Sequence, residues 1–116
     1  MIVCGLDPSM TNYGWALHDS EVPLGEPLRC IERGRWSTSP KEEFILRYIS
    51  QRESLKSLLE NRGIKRVGIE FPIFNDLWSE GMYGLFLYSC EALRSCDCDV
   101  VFWTSMQVKA HARETI

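Results

Sequence analysis

Two short apolar runs open the chain with a single acid between them, and this arrangement constrains the fold more than any other feature. The first run, residues 2–7, ends at Asp7, and the second, residues 12–18, follows after a turn that contains Pro8. Apolar runs of this length that are bounded by turn residues are typical of β-strands. We therefore predict a hairpin that carries Asp7 at the end of its first strand.

Length and composition predict one domain. The chain has 116 residues, of which 45% are hydrophobic and 25% are charged, and its net charge is −3. This length suits a single core, so we expect residues 1–116 to form one domain. The acidic balance argues against a protein that coats nucleic acid through bulk charge alone, because such proteins usually carry a basic excess.

The apolar runs are too short for a membrane protein. None approaches the roughly 20 residues that a membrane span requires. Gly5 and Asp7 interrupt the first run, so it does not form the apolar segment of a secretory signal. We expect an intracellular, cytoplasmic location without membrane contact. The five cysteines lack paired CxxC spacing, and we expect them to be reduced thiols.

The middle of the chain predicts a third strand and a long helix. Residues 28–37 form a more polar strand that completes an antiparallel meander. Ser39 is placed as an N-cap with Pro40 at the first helical position, and Gly63 ends the helix, which we predict over residues 40–62. Its expected apolar face consists of Phe44, Ile45, Tyr48, Ile49, Leu55, Leu58 and Leu59.

The last third alternates between strands and helices. Residues 65–70 form a buried strand that ends at Glu70, a second helix lies within 76–95, and residues 99–103 form a fifth strand. The second helix contains small residues that would let another helix or another subunit approach it closely: Gly81, Gly84 and Ala92. A last helix begins at Thr104 or Ser105. Strands that are joined by helical crossovers pair in parallel, so the chain is an α/β protein with a mixed sheet.

This order, with one acid ending the first strand and another ending the fourth, resembles the ribonuclease H-like superfamily. Three strings are similar to motifs of RuvC-type Holliday junction resolvases and occur in the same order: Gly5-Leu6-Asp7-Pro8-Ser9 with Tyr13-Gly14-Trp15-Ala16, then Gly68-Ile69-Glu70, then Gln107-Val108-Lys109. The resemblance implies a ribonuclease H-like fold. It implies a five-stranded mixed sheet, with three antiparallel strands and then two parallel ones, and helices on both faces.

The resemblance also implies an activity. It points to a metal-dependent, structure-specific endonuclease that hydrolyses phosphodiesters in Holliday junctions or other branched DNA and acts as a homodimer. Asp7 and Glu70 are the implied catalytic metal ligands, with Mg²⁺ as cofactor and Mn²⁺ as a substitute. Carboxylate oxygens suit these hard ions, and paired ions activate water and stabilise the leaving oxygen.

Three further residues are implied to contact DNA or the reacting phosphate. Lys109 matches the lysine of the Val-Lys string, which implies a catalytic position near the scissile phosphate. Phe74 is our candidate for an aromatic side chain that stacks on a base at the junction centre. Arg113, on the same predicted helix as Lys109, is a candidate phosphate contact.

Other interpretations of the same residues stay open. Asp7 is also a common turn residue after a strand, and Glu70 would then be a solvent-facing strand end. The chain stops at Ile116, before the helix that carries the family's last carboxylates, so we expect a C-terminally truncated domain that cleaves slowly or not at all alone. The alternatives are a noncatalytic DNA-binding or dimerisation module of the same fold, or a phosphate-binding relative of sugar kinases, actin and heat-shock ATPases.

Overall fold

The computed structural model describes residues 1–21, 29–70 and 80–103. Its strands are β1 (Ile2–Asp7), β2 (Asn12–Asp19), β3 (Arg29–Ser37), β4 (Arg66–Glu70) and β5 (Asp99–Trp103). Its helices are α1 (Phe44–Arg62) and α2 (Glu80–Ser95). The helix predicted after Trp103 falls outside the described residues.

The strands form one mixed sheet, as the sequence predicts. Its order is β3-β2-β1-β4-β5. β2 is antiparallel to both β1 and β3. β4 is parallel to both β1 and β5. β1 therefore lies at the centre of the sheet between β2 and β4, and the carboxyl ends of β1 and β4 lie at the same edge.

The core lies between one face of this sheet and the two described helices. Alternate residues of the central strands are buried on that face: Cys4 and Leu6 from β1, Tyr13 and Leu17 from β2, Val67 and Ile69 from β4. The helices contribute Leu55, Leu59, Leu85 and Leu93 to the same cluster. A Tyr13 Oη–Ser89 Oγ hydrogen bond of 2.7 Å, donated by the tyrosine, links β2 to α2 inside this core.

Helix α1 begins four residues later than the sequence predicts. Ser39 does act as a local cap, but its Oγ accepts the N–H of Lys41 and its carbonyl accepts the N–H of Glu42, so the serine closes a separate turn. Glu43 is extended, with φ −63° and ψ 147°, and the helix starts at Phe44. The predicted end is confirmed, because Gly63 has φ 62°, in the left-handed region that glycine favours.

The apolar face predicted for α1 is correct at Tyr48 and in the second half of the helix, and wrong at Phe44, Ile45 and Ile49. Leu55 and Leu59 are buried, but Phe44 is 54% exposed. Ile45 and Ile49 are exposed as well. The positions that face the sheet in the first two turns are instead polar, Arg47 and Gln51, and both are buried.

The two helices pack closely because α2 presents glycines to α1. A Cβ on Gly84 would lie 2.5 Å from the hydroxyl of Tyr48, and a Cβ on Gly81 would lie 3.3 Å from the ring of Phe44. The expectation that small residues of the second helix receive another helix is therefore confirmed for α1. All five cysteines are free thiols. Within the described residues, no helix is both long and apolar enough to cross a membrane.

Candidate functional site

Asp7 and Glu70 come together because their strands are parallel neighbours. Leu6 of β1 is in register with Ile69 of β4. The next residue on each strand is the acid, Asp7 on β1 and Glu70 on β4. Both acids therefore lie at the carboxyl ends of these two neighbouring strands. Neighbouring strands are about 4.8 Å apart, which sets the scale of the separation between the two acids. The sequence prediction that these residues meet is consistent with this register.

Both acids belong to the sheet face that lies opposite α1 and α2, which we call the second face. Leu6 and Ile69 are buried towards the helices. Because successive side chains of a strand alternate between faces, Asp7 and Glu70 lie on the second face. Asp7 is paired across the hairpin with Gly14, and a Cβ on Gly14 would lie 3.6 Å from the Cβ of Asp7. Because position 14 is a glycine, β2 places no side chain between Asp7 and β3 at this point.

The electrostatics of the pair favour a bound cation. The pKa of Glu70 is raised, first by burial and then by the negative charge of Asp7. Glu70 is half-buried, which argues against a fully solvated strand end, whereas Asp7 is exposed. Two carboxylates that repel each other gain most from a divalent ion placed between them.

The donor set fits magnesium or manganese. Carboxylate oxygens are preferred ligands of both ions, which also keep several water ligands and bind substrate phosphates. Within the described ranges, no group of three or more His, Cys, Asp or Glu side chains has the geometry of a metal site. Among the described residues at this edge, Asp7 and Glu70 are the carboxylates that could hold such an ion, which would also take water and substrate phosphate as ligands.

The turn that follows Asp7 is held in place by a residue that the sequence analysis missed. Arg47 of α1 is 4% exposed. Its Nε donates to Thr38 Oγ1 at 2.9 Å and its Nη2 donates to Thr11 Oγ1 at 3.4 Å. Thr38 Oγ1 in turn donates to the carbonyl of Met10. Arg47 thus ties the β1–β2 turn to the segment between β3 and α1.

A signal for this arginine was present in the sequence. Arg47 and Gln51 stand eight and four residues before Leu55, respectively, on the helical stripe that ends with the buried Leu59. Polar residues in register with a buried stripe indicate specific hydrogen-bond partners, because burial without partners is costly. Those partners come from distant turns, so the sequence does not identify them.

The other predicted site residues lie outside the described residues. Phe74 belongs to residues 71–79, and Lys109 and Arg113 belong to residues 104–116. Their positions relative to Asp7 and Glu70 remain predictions. Asp7 and Glu70 are therefore the predicted pair that the described structure brings together.

Comparison with solved structures identifies the fold. Thermus thermophilus RuvC matches with a TM-score of 0.82 and 22% identity, over 94% of this chain and 67% of that chain. A structure of T. thermophilus RuvC in complex with Holliday junction substrate matches with a TM-score of 0.80 and 21% identity, over 96% of this chain and 69% of that chain. The chain has the RuvC fold.

A viral protein also matches the fold of this chain, with lower structural similarity and lower sequence identity. The fowlpox virus Holliday junction resolvase matches with a TM-score of 0.61 and 14% identity, over 99% of this chain and 72% of that chain. Comparison with protein-family models and with curated proteins finds no match. The resemblance inferred from the three sequence strings is thus confirmed as a RuvC-type, ribonuclease H-like fold.

Proposed function

We propose that the chain is a metal-dependent, structure-specific DNA endonuclease that cleaves Holliday junctions or other branched DNA, a crossover junction endodeoxyribonuclease. The observation that carries the proposal is the register of β1 against β4, which sets Asp7 beside Glu70 at one edge of the sheet. The similarity to resolvase structures supports the choice of substrate. Mg²⁺ is the proposed cofactor, and Mn²⁺ is the proposed substitute.

The proposed roles of the two acids follow from their environments. Asp7 is exposed and offers its oxygens to ions and to substrate-bound water. Burial, and then the negative charge of Asp7, raise the pKa of Glu70, so a cation held by both carboxylates would offset the cost of keeping Glu70 ionised. A bound divalent ion supplies a nucleophilic water at neutral pH and neutralises charge on the phosphate. Arg47 acts as a positioning residue, because it fixes the turn after Asp7.

Three further residues and a dimer complete the proposal. Lys109 is proposed near the scissile phosphate, Phe74 on an unpaired base, and Arg113 on the DNA backbone. We propose a homodimer, because two identical active sites suit two symmetrically related strands of a four-way junction.

The test is cleavage of a labelled four-way DNA junction with Mg²⁺ or Mn²⁺, with products resolved on a denaturing gel. We compare the wild type with Asp7→Asn, Glu70→Gln and the control Glu42→Gln, which alters an exposed turn residue. We expect paired nicks that the first two variants lose and the control keeps. Cleavage that survives Asp7→Asn contradicts the proposed site. Junction binding without cleavage in every protein supports the noncatalytic alternative instead.

A further inference from the structure

Two arginines of β3 share the second face with the candidate metal ligands. Trp36 and Gly34 of β3 face the helices: the ring of Trp36 lies 5.3 Å from that of the buried Tyr13, and a Cβ on Gly34 would lie 2.6 Å from the ring of Trp15. Residues that alternate with them point the other way. Arg33 and Arg35 therefore lie on the second face.

The surface of the sheet between these arginines and the acids is formed by small residues. Arg35 is in register with Gly14, and Gly14 is in register with Asp7. Two steps of antiparallel pairing place the Cα atoms of Arg35 and Asp7 about 10 Å apart. With glycine as the intervening residue, an extended arginine side chain can approach a group bound at Asp7.

The neighbouring row of paired residues across β3, β2 and β1 also consists of small residues beyond Arg33. Arg33 is in register with Ala16, and Ala16 is in register with Gly5. A Cβ on Gly5 would meet no described atom within 4 Å. A shallow surface of small residues therefore lies between the two arginines, Arg33 and Arg35, and the edge that carries Asp7.

Neither guanidinium is engaged by the described part of the protein. Arg33 and Arg35 are exposed, and neither forms an ion pair with a described residue. By contrast, Arg52 pairs with Glu53 and Glu91. Arg62 on the helical side likewise pairs with Glu32. In a chain with a net charge of −3, two unpaired arginines beside small neutral residues form a local basic surface.

We infer that Arg33 and Arg35 bind successive phosphates of the DNA strand whose reacting phosphate lies at Asp7 and Glu70. Positions two residues apart on a strand are separated by about 6.8 Å, which is comparable to the spacing of neighbouring phosphates along one nucleic-acid strand. Guanidinium groups bind phosphate oxygens with two parallel hydrogen bonds. This inference rests on the proposed function and assigns the side of the sheet along which the substrate strand runs.

The experiment measures binding without cleavage, by fluorescence anisotropy of a labelled linear duplex and a labelled four-way junction in EDTA over a range of salt concentrations. We compare the wild type with R33Q/R35Q and with the matched control R52Q/R62Q. Both double variants remove two arginine charges, so they change the overall charge equally. Thermal unfolding of each protein verifies that it is folded.

We expect DNA binding by R33Q/R35Q to depend less steeply on salt concentration than DNA binding by the wild type or the control. Each lost phosphate contact lowers the slope of log K against log salt by about 0.9, so R33Q/R35Q should lower it by about 1.8 and weaken binding about 60-fold at 0.1 M salt. The control should keep the wild-type slope. A slope that is the same in R33Q/R35Q and the control overturns the inference, as does a wild type that binds neither DNA.

Junction cleavage, assayed in parallel with Mg²⁺, separates this inference from the proposed function. Cleavage by the wild type with an unchanged slope in R33Q/R35Q overturns the arginine assignment and leaves the proposed nuclease intact. A lowered slope without cleavage by any of the proteins supports the arginine contacts and counts against the nuclease.

Discussion

Replacing Glu70 by glutamine should stabilise the protein in the absence of divalent ions. For two carboxylates about 5 Å apart, Coulomb's law gives about 0.8 kcal/mol of repulsion at the dielectric constant of water and about 3 kcal/mol at an effective value of 20. Asp7 is exposed, so the lower end applies. We expect Glu70→Gln to raise the free energy of unfolding by about 1 kcal/mol in EDTA at neutral pH.

Magnesium should reverse this order. An ion that binds the folded wild type at ten times its dissociation constant adds about 1.4 kcal/mol to the free energy of unfolding. Glu70→Gln lacks one of the two carboxylates and should gain much less. The wild type should therefore become the more stable protein once Mg²⁺ occupies its site.

The difference measured in EDTA should also depend on pH. The folded-state pKa of Glu70 is raised, so the folded protein binds a proton more readily than the unfolded chain does. As pH falls through that raised value towards the ordinary glutamate pKa, the wild type gains stability relative to the variant. The advantage of Glu70→Gln is thus complete above the raised pKa of Glu70 and shrinks below it.

Urea unfolding followed by tryptophan fluorescence measures all three effects, since the chain has four tryptophans. Glu42→Gln is the control, because this exposed residue lies in the turn before α1. A Glu70→Gln protein that is less stable than the wild type in EDTA refutes the repulsion argument. Equal stabilisation of both proteins by Mg²⁺ refutes the assignment of Glu70 as a ligand.

Three other substitutions or probes test the surrounding structure. Gly34→Ala should lower the free energy of unfolding by about 1–3 kcal/mol in urea titrations, because its Cβ would lie 2.6 Å from the ring of Trp15; an unchanged midpoint would contradict this packing. Arg47→Met should reduce the rate of junction cleavage more than junction affinity, measured by single-turnover kinetics and anisotropy, and equal losses would argue against a positioning role. A thiol reagent should modify exposed Cys30 well before Cys4, whose pKa burial raises to about 12, and mass spectrometry of early labelling would show the reverse order if this reasoning is wrong.

The sheet was predictable because its signals are local and repeated. The residues that alternate along β1 and β4 mark which side chains are buried, and a helical crossover implies parallel pairing. Together these two rules bring Asp7 and Glu70 to one edge without knowledge of any distant contact. The motif strings then matched the fold that the structural comparison identifies.

The first turns of α1 were not predictable for the opposite reason. Ser39 has the sequence context of an N-cap, but its hydrogen bonds close a turn before the helix. Arg47 is buried because its partners, Thr11 and Thr38, belong to segments that only the folded chain brings to α1. Helical periodicity places Arg47 on the stripe of Leu55 and Leu59, but it does not identify these partners, and an arginine without known partners is expected to face solvent.

Titration of Mn²⁺ into the wild type and Asp7→Asn, followed by electron paramagnetic resonance, tests most directly whether the paired acids hold a divalent ion. Free Mn²⁺ gives a signal that weakens on binding, so the titration counts ions per chain. The account predicts one weakly bound ion in the wild type and loss of that binding in Asp7→Asn. Identical titrations for the two proteins would contradict it, and so would two tightly bound ions per chain, since the described site has only two carboxylates.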